Sequence, residues 1–124
     1  MNDSDIDFGL LAGDGIATRS AKAGEIIFKE GDAADELFVI KSGQVGIRIG
    51  NRTLSELSAN SIFGETALID DAPRSATAVA LTDVELVPIS EKQFLFLVSQ
   101  TPFFALKVMR VLARRLRAAS KSFG

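Results

Sequence analysis

Residues 63–78 of this 124-residue chain read Phe63-Gly64-Glu65-Thr66-Ala67-Leu68-Ile69-Asp70-Asp71-Ala72-Pro73-Arg74-Ser75-Ala76-Thr77-Ala78. A glycine stands beside the start of a short helix, with a carboxylate at Glu65 and an arginine at Arg74. The first turn of a helix leaves N–H groups unpaired and carries partial positive charge. Phosphate is the usual anion to settle there. Arg74 brings a full charge and a planar fork matched to phosphate oxygens. Glu65 would repel a phosphate that it faced, but it would accept a hydrogen bond from a neighbouring sugar hydroxyl. A phosphate and a ribose in one cradle make a nucleotide. The competing reading is a plain salt bridge between Glu65 and Arg74. Pro73 either stiffens the loop that presents Arg74 or is a simple turn proline.

The rest of the chain supplies the frame. From Ala17 to Ser90 the signals are short strands and turns. Val45, Ile47 and Ile49 alternate with Gly46, Arg48 and Gly50, a period of two. Gly50-Asn51 marks a tight hairpin before Arg52–Leu57. Ser75–Ala80 and Val84–Ser90 read as further strands, joined through Leu81-Thr82-Asp83. Glycines at 13, 15, 24, 31 and 43 punctuate at the spacing of a small barrel or sandwich. The expected architecture is mainly β with C-terminal α, an eight-stranded β-roll of jelly-roll type.

After Ser90 the period changes. Ser90 is a good N-cap with acidic Glu91 behind it, and Phe94, Leu95, Leu97 and Val98 recur at helical spacing. Thr101-Pro102 starts a second helix, with proline at its first position. Ala105, Val108, Met109, Leu112 and Leu116 form its apolar stripe, opposite Arg110, Arg114 and Arg117. This helix is expected to fade near Ser120. Phe94, Phe96, Phe103 and Phe104 are read as packing between helices and roll. The division is then a loosely ordered arm over 1–16 and one domain over 17–120, with the roll at 17–90 and helices at 91–120.

The cassette resembles that of the cyclic nucleotide-binding domain, found in catabolite-activator-type transcription factors, regulatory subunits of cAMP-dependent protein kinase and cyclic-nucleotide-gated channels. The run Ala23-Gly24-Glu25-Ile26-Ile27-Phe28-Lys29-Glu30-Gly31-Asp32 resembles the same family's early strands. So does Glu36-Leu37-Phe38-Val39-Ile40-Lys41-Ser42-Gly43-Gln44-Val45. The likeness extends over residues 17–118. It implies that Glu65 accepts from the ribose 2′-OH and that Arg74 holds the exocyclic phosphate oxygens. It also implies that Gly64 and the amides of Thr66 and Ala67 complete the cradle. Ser75 matches a position that adds a hydroxyl contact in some members, and Ile47 and Leu54 match positions that pack on sugar and base. Members that favour cGMP commonly have threonine after the arginine, so Ser75 favours cAMP over cGMP. The family often extends its last helix to cap the base; here Phe123 or a partner-chain residue is the available substitute.

Composition sets limits on other functions. The chain has no Cys and no His, which removes disulfides, cysteine nucleophiles and most zinc and haem sites. No metal or further cofactor is expected. A jelly-roll enzyme would have to work with carboxylates alone, so a binding domain is the stronger reading. A ligand-free interaction module of the same fold is the alternative. The first residues are acidic and lack an apolar core, and no apolar run has membrane length, so a cytoplasmic protein is expected. Seven basic and sixteen acidic side chains precede Lys92, whereas seven basic and no acidic ones follow from it. A basic helical tail on an acidic body invites electrostatic docking, within the chain or between chains, although a plain solvated helix face is the favoured reading. No helix-turn-helix follows, so DNA contact is not expected. The expected partners are an effector protein acting in trans and a second copy through the C-terminal helix.

Overall fold

The computed structural model describes residues 17–123, apart from the side chains of Ala67 and of residues 119–123. The arm expected over residues 1–16 and the base cap expected of Phe123 lie outside what is described. Eight antiparallel strands form two four-stranded sheets. These are β1 Arg19–Ala21, β2 Ile26–Phe28, β3 Glu36–Ser42, β4 Val45–Ile49, β5 Arg52–Leu57, β6 Ile62–Phe63, β7 Thr77–Ala80 and β8 Val84–Ser90. One sheet runs β1-β8-β3-β6 and the other β2-β7-β4-β5. This is the expected jelly-roll architecture.

The apolar run of β3 is buried on both faces, as an inner strand of a layered fold must be. Phe38 and Ile40 enter the roll interior with Val45, Phe63, Ala78, Ala80 and Leu86. Leu37 and Val39 point the other way, toward Ile62, Val87, Ile89 and the helices. The β4–β5 hairpin turns at Gly50-Asn51 as the dipeptide predicts. A register shift between Ile47 and Arg48 breaks the simple alternation of β4 and leaves Ile49 exposed. The strand expected from Ser75 begins at Thr77 instead, because Ser75 and Ala76 bend around the cassette. Gly43 has φ +91°, and a Cβ there would collide with the Asp83 carbonyl. The β3–β4 turn can therefore lie against the β7–β8 turn only with glycine at this position.

A four-residue helix, α1 (Thr66–Ile69), sits in the cassette. Helix α2 (Glu91–Gln100) starts as expected at Ser90. The Gln93 amide donates to Ser90 Oγ at 3.3 Å, and Ser90 N–H donates to Gln93 Oε1 at 2.9 Å, a reciprocal capping box. Pro102 opens α3 (Pro102–Phe123), which runs into the stretch from Ser120 to Gly124 where the fade is expected.

The packing phase of α3 departs from the expected stripe. Phe104, Val108 and Val111 form the buried seam, with Leu112 beside it. Met109 and Leu116 are 57% and 71% exposed. The aromatic expectation is half met: Phe94 and Phe104 pack with centroids 5.6 Å apart, while Phe96 and Phe103 are exposed. The reason is geometric. α3 is apolar on two faces, and the roll covers only one.

Candidate functional site

β6 delivers the chain into Gly64, whose φ of +76° lies in the left-handed region. A Cβ at Gly64 would lie 2.7 Å from Arg74 Nη1 and 3.4 Å from the Phe28 ring. Glycine is thus needed for its conformation and for the close approach of the arginine. Glu65 occupies the N-cap of α1 without capping it through its side chain. Its carbonyl accepts from the Leu68 and Ile69 amides at 3.1 and 3.2 Å. The amide of Thr66, a first-turn donor, has no protein acceptor among the described residues. The loop then turns through Asp71 at φ +48°, a conformation that aspartate tolerates. Its return is pinned at Arg74: the Arg74 amide donates to the Asp32 carbonyl, and the Gly31 amide donates to the Arg74 carbonyl, both at 2.8 Å.

Two arginines reach this hollow, and they are held in different ways. Arg74 is only 6% exposed. Its guanidinium lies 4.1 Å from the centroid of Phe28 and 5.7 Å from that of Phe38. Nη1 donates to the Gly64 carbonyl at 3.1 Å, and Nε has no partner. Burial pushes its pKa below the ordinary arginine value, while the negative charges of Glu36, Asp35 and Asp32 pull it back up. Arg115 comes from α3. Its Nη1 donates to Glu65 Oε1 at 3.2 Å, and its Nη2 donates to the Ile62 carbonyl. The Glu65–Arg74 salt bridge weighed as an alternative is therefore replaced by a Glu65–Arg115 pair.

These groups line one open pocket of about 160 Å³. Gly64, Glu65, Thr66, Arg74 and Ser75 form one side, with Ile47 and Leu54 across from them. Of the residues expected at the site, the side chain of Ala67 lies outside what is described. Phe28, Ser55 and Arg115 line the pocket as well and were not anticipated. Arg115 continues the spacing of Phe104, Val108 and Val111, so a charge falls on a face that only the packing of α3 reveals as buried. A larger hollow of about 370 Å³ lies elsewhere, lined by Lys22, Glu25, Asp83 and Glu85 among others. It has no buried cation and no helix start. Among the described residues no cluster of acidic side chains is arranged to hold a metal ion. No single described helix is long and apolar enough to cross a membrane.

The pocket couples a buried cation that has an unpartnered Nε, the first turn of α1 and a carboxylate anchored from behind. Such a set can bind an anionic group and an adjoining hydroxyl.

Comparison with known proteins agrees with the chemistry of the pocket. The sequence profile of the cyclic nucleotide-binding domain matches residues 18–101. The cyclic AMP receptor protein of Thermus thermophilus is 39% identical over 101 residues, covering 77% of this chain and 47% of that protein. The crystal structure of the Thermus thermophilus catabolite activator protein aligns with a TM-score of 0.78 at 36% identity, over 86% of this chain and 53% of that one. The EAL enzyme Bd1971, solved in cAMP-bound and cGMP-bound forms, aligns at 38% identity with TM-scores of 0.62 and 0.63, over 86% of this chain and 30% of that one. The chain spans about half the length of the curated receptor-type relatives that it matches.

Proposed function

The chain belongs to the cyclic nucleotide-binding domain family, and on that premise we propose that it is a regulatory sensor that binds cAMP in preference to cGMP. The observation that carries this reading is Arg74, a buried guanidinium with an unpartnered Nε beside the first turn of α1. Without an anion such a charge is costly to bury. In the proposed complex Arg74 grips the exocyclic phosphate oxygens, helped by the Gly64, Thr66 and Ala67 backbone and by the Ser75 hydroxyl. Glu65 spends Oε1 on Arg115 and offers Oε2 to the ribose 2′-OH. Ile47 and Leu54 pack on sugar and base. The hollow is smaller than the roughly 300–1,000 Å³ usual for small-molecule pockets, so the base extends beyond it toward α3.

The output runs through α3. Arg115 ties the proposed sugar acceptor to that helix, so a ligand that engages Glu65 acts on the same carboxylate that holds the helix. Binding moves α3 only insofar as the ligand prefers one helix position over another. The reader of that movement is a partner protein. A second copy is the proposed neighbour along α3. Leu106, Met109, Ala113 and Leu116 alternate at three and four residues, the spacing of a coiled-coil seam. Arg110 and Arg117 flank one side of that seam and Ala105 and Leu112 the other. Parallel pairing sets arginine against the apolar flank, whereas antiparallel pairing sets arginine against arginine. In this reading the chain is not an enzyme, as its pocket holds binding groups only.

The test is a thermal melt with excess cAMP, cGMP or linear AMP, followed by calorimetric titration. A competent site raises the melting temperature by mass action. The cyclic nucleotides are expected to do so, cAMP at lower concentration. An unchanged melt with both would leave the ligand-free interaction module as the better reading.

A further inference from the structure

We propose that Phe28 is the positioning residue of the anion site: its ring holds the Arg74 guanidinium by the face, so that the edges stay open for the ligand. The inference rests on the reading of the pocket given above and adds to it a residue on a different strand. Charged hydrogen bonds to a guanidinium run in its plane, through the N–H groups. Cation–π attraction acts perpendicular to that plane. A carboxylate partner would therefore occupy the very donors that a phosphate needs. An aromatic face would not.

The two arginines of the pocket make the contrast visible. Arg115 is held by its edges, which donate to Glu65 and to the Ile62 carbonyl. Arg74 is more deeply buried, yet no carboxylate forms an ion pair with it among the described residues. Its guanidinium carbon sits 4.1 Å from the Phe28 centroid, Nη1 donates to the Gly64 carbonyl, and the buried Nε is unpartnered. The Phe28 ring is itself fixed. It lies 6.1 Å from Phe38 and 5.9 Å from Phe63, centroid to centroid, and these two rings are fully buried in the roll interior. Gly64 crowds one edge, where a Cβ would lie 2.7 Å from Nη1 and 3.4 Å from the Phe28 ring. The guanidinium thus lies against the Phe28 ring with the Gly64 backbone at one edge, and it lines the pocket.

Progressive fluorination of Phe28, by incorporation of mono-, di- and trifluorophenylalanine, drains the ring face while keeping its shape and apolar area. We expect cAMP affinity to fall stepwise along the series, by about threefold or more at the trifluoro ring, the effect of one cation–π contact. The same series in the Arg74→Ala background should be flat. Phe28→Tyr should retain binding, whereas Phe28→Leu should lose it to the degree that the trifluoro variant does. A flat series in a wild-type background that binds cAMP overturns the role of Phe28 and leaves the pocket reading intact. Equal losses with and without Arg74 also overturn it, because they would mark Phe28 as general packing. A wild-type protein that binds neither cyclic nucleotide overturns the pocket reading, and this inference with it.

Discussion

Glu65 and Arg115 are 50 residues apart in the chain, yet Arg115 Nη1 donates to Glu65 Oε1 at 3.2 Å. The first stands at the start of the cassette helix and the second on the last helix. Their pairing makes the cassette and α3 neighbours in energy as well as in space. Removing either partner strands the other in a partly buried place. Arg115→Met is expected to lower stability by about 1–3 kcal/mol, the cost of an unmatched buried polar group. Hydrogen exchange should locate the loss in the α3 half beyond Val111. Uniform loosening of the whole roll would contradict this assignment.

Arg74→Ala is expected to weaken cyclic nucleotide binding at least tenfold, which corresponds to about 1.4 kcal/mol. Titration calorimetry on the purified variant measures it directly. Equal affinity in variant and parent would refute the role of the guanidinium.

Stability should respond differently at the same position. A cation that is buried without a carboxylate contributes little to holding the unliganded fold together. Arg74→Met, which keeps most of the volume, is expected to leave unliganded stability within about 1 kcal/mol of the parent. Chemical denaturation without nucleotide tests this. A loss of several kcal/mol would mean that Arg74 is a structural strut.

Gly64→Ala should damage both properties. The left-handed backbone strains any side chain, by about 1–3 kcal/mol. The added methyl also meets Nη1 of Arg74. The variant is expected to melt earlier and to bind cyclic nucleotide at least tenfold more weakly, by about 1.4 kcal/mol. Normal affinity in a folded Gly64→Ala protein would show that the arginine has room to move.

The exposed seam of α3 has its own test. Met109→Glu in both copies of a parallel pair places like charges across the interface. Sedimentation equilibrium should find a dimer for the parent and a monomer for the variant, with α2 and α3 still helical by circular dichroism. A parent that remains monomeric at high concentration would remove the proposed pairing.

The legible parts of the fold are those that local chemistry decides. The β4–β5 hairpin announces itself through alternation and Gly50-Asn51. The start of α2 is visible in Ser90 and Glu91, because a helix terminus needs its donors satisfied close by. The cassette is legible for a related reason: Gly64, Glu65 and Arg74 are close in sequence, so spacing alone predicts that they meet. What escaped depends on distant contacts. α3 has two apolar faces, and nothing in the sequence of that helix tells which one meets the roll. The seam is set by Leu37, Val39 and Ile89, residues of other elements. Arg115 went unread because its meaning depends on which face is buried. Phe28 looked like one more strand residue until the fold brought Arg74 over it.

α3 is fastened to the roll in two unlike ways. Near its start, Phe104, Val108 and Val111 are rooted in hydrocarbon; a turn later, Arg115 clasps the cassette by charge. Mobile ions do not screen the first fastening, whereas they weaken the second, a partly exposed ion pair. Under the proposed reading, movement of α3 beyond Val111 would leave its base planted, and the ionic composition of the surroundings would set how readily it occurs.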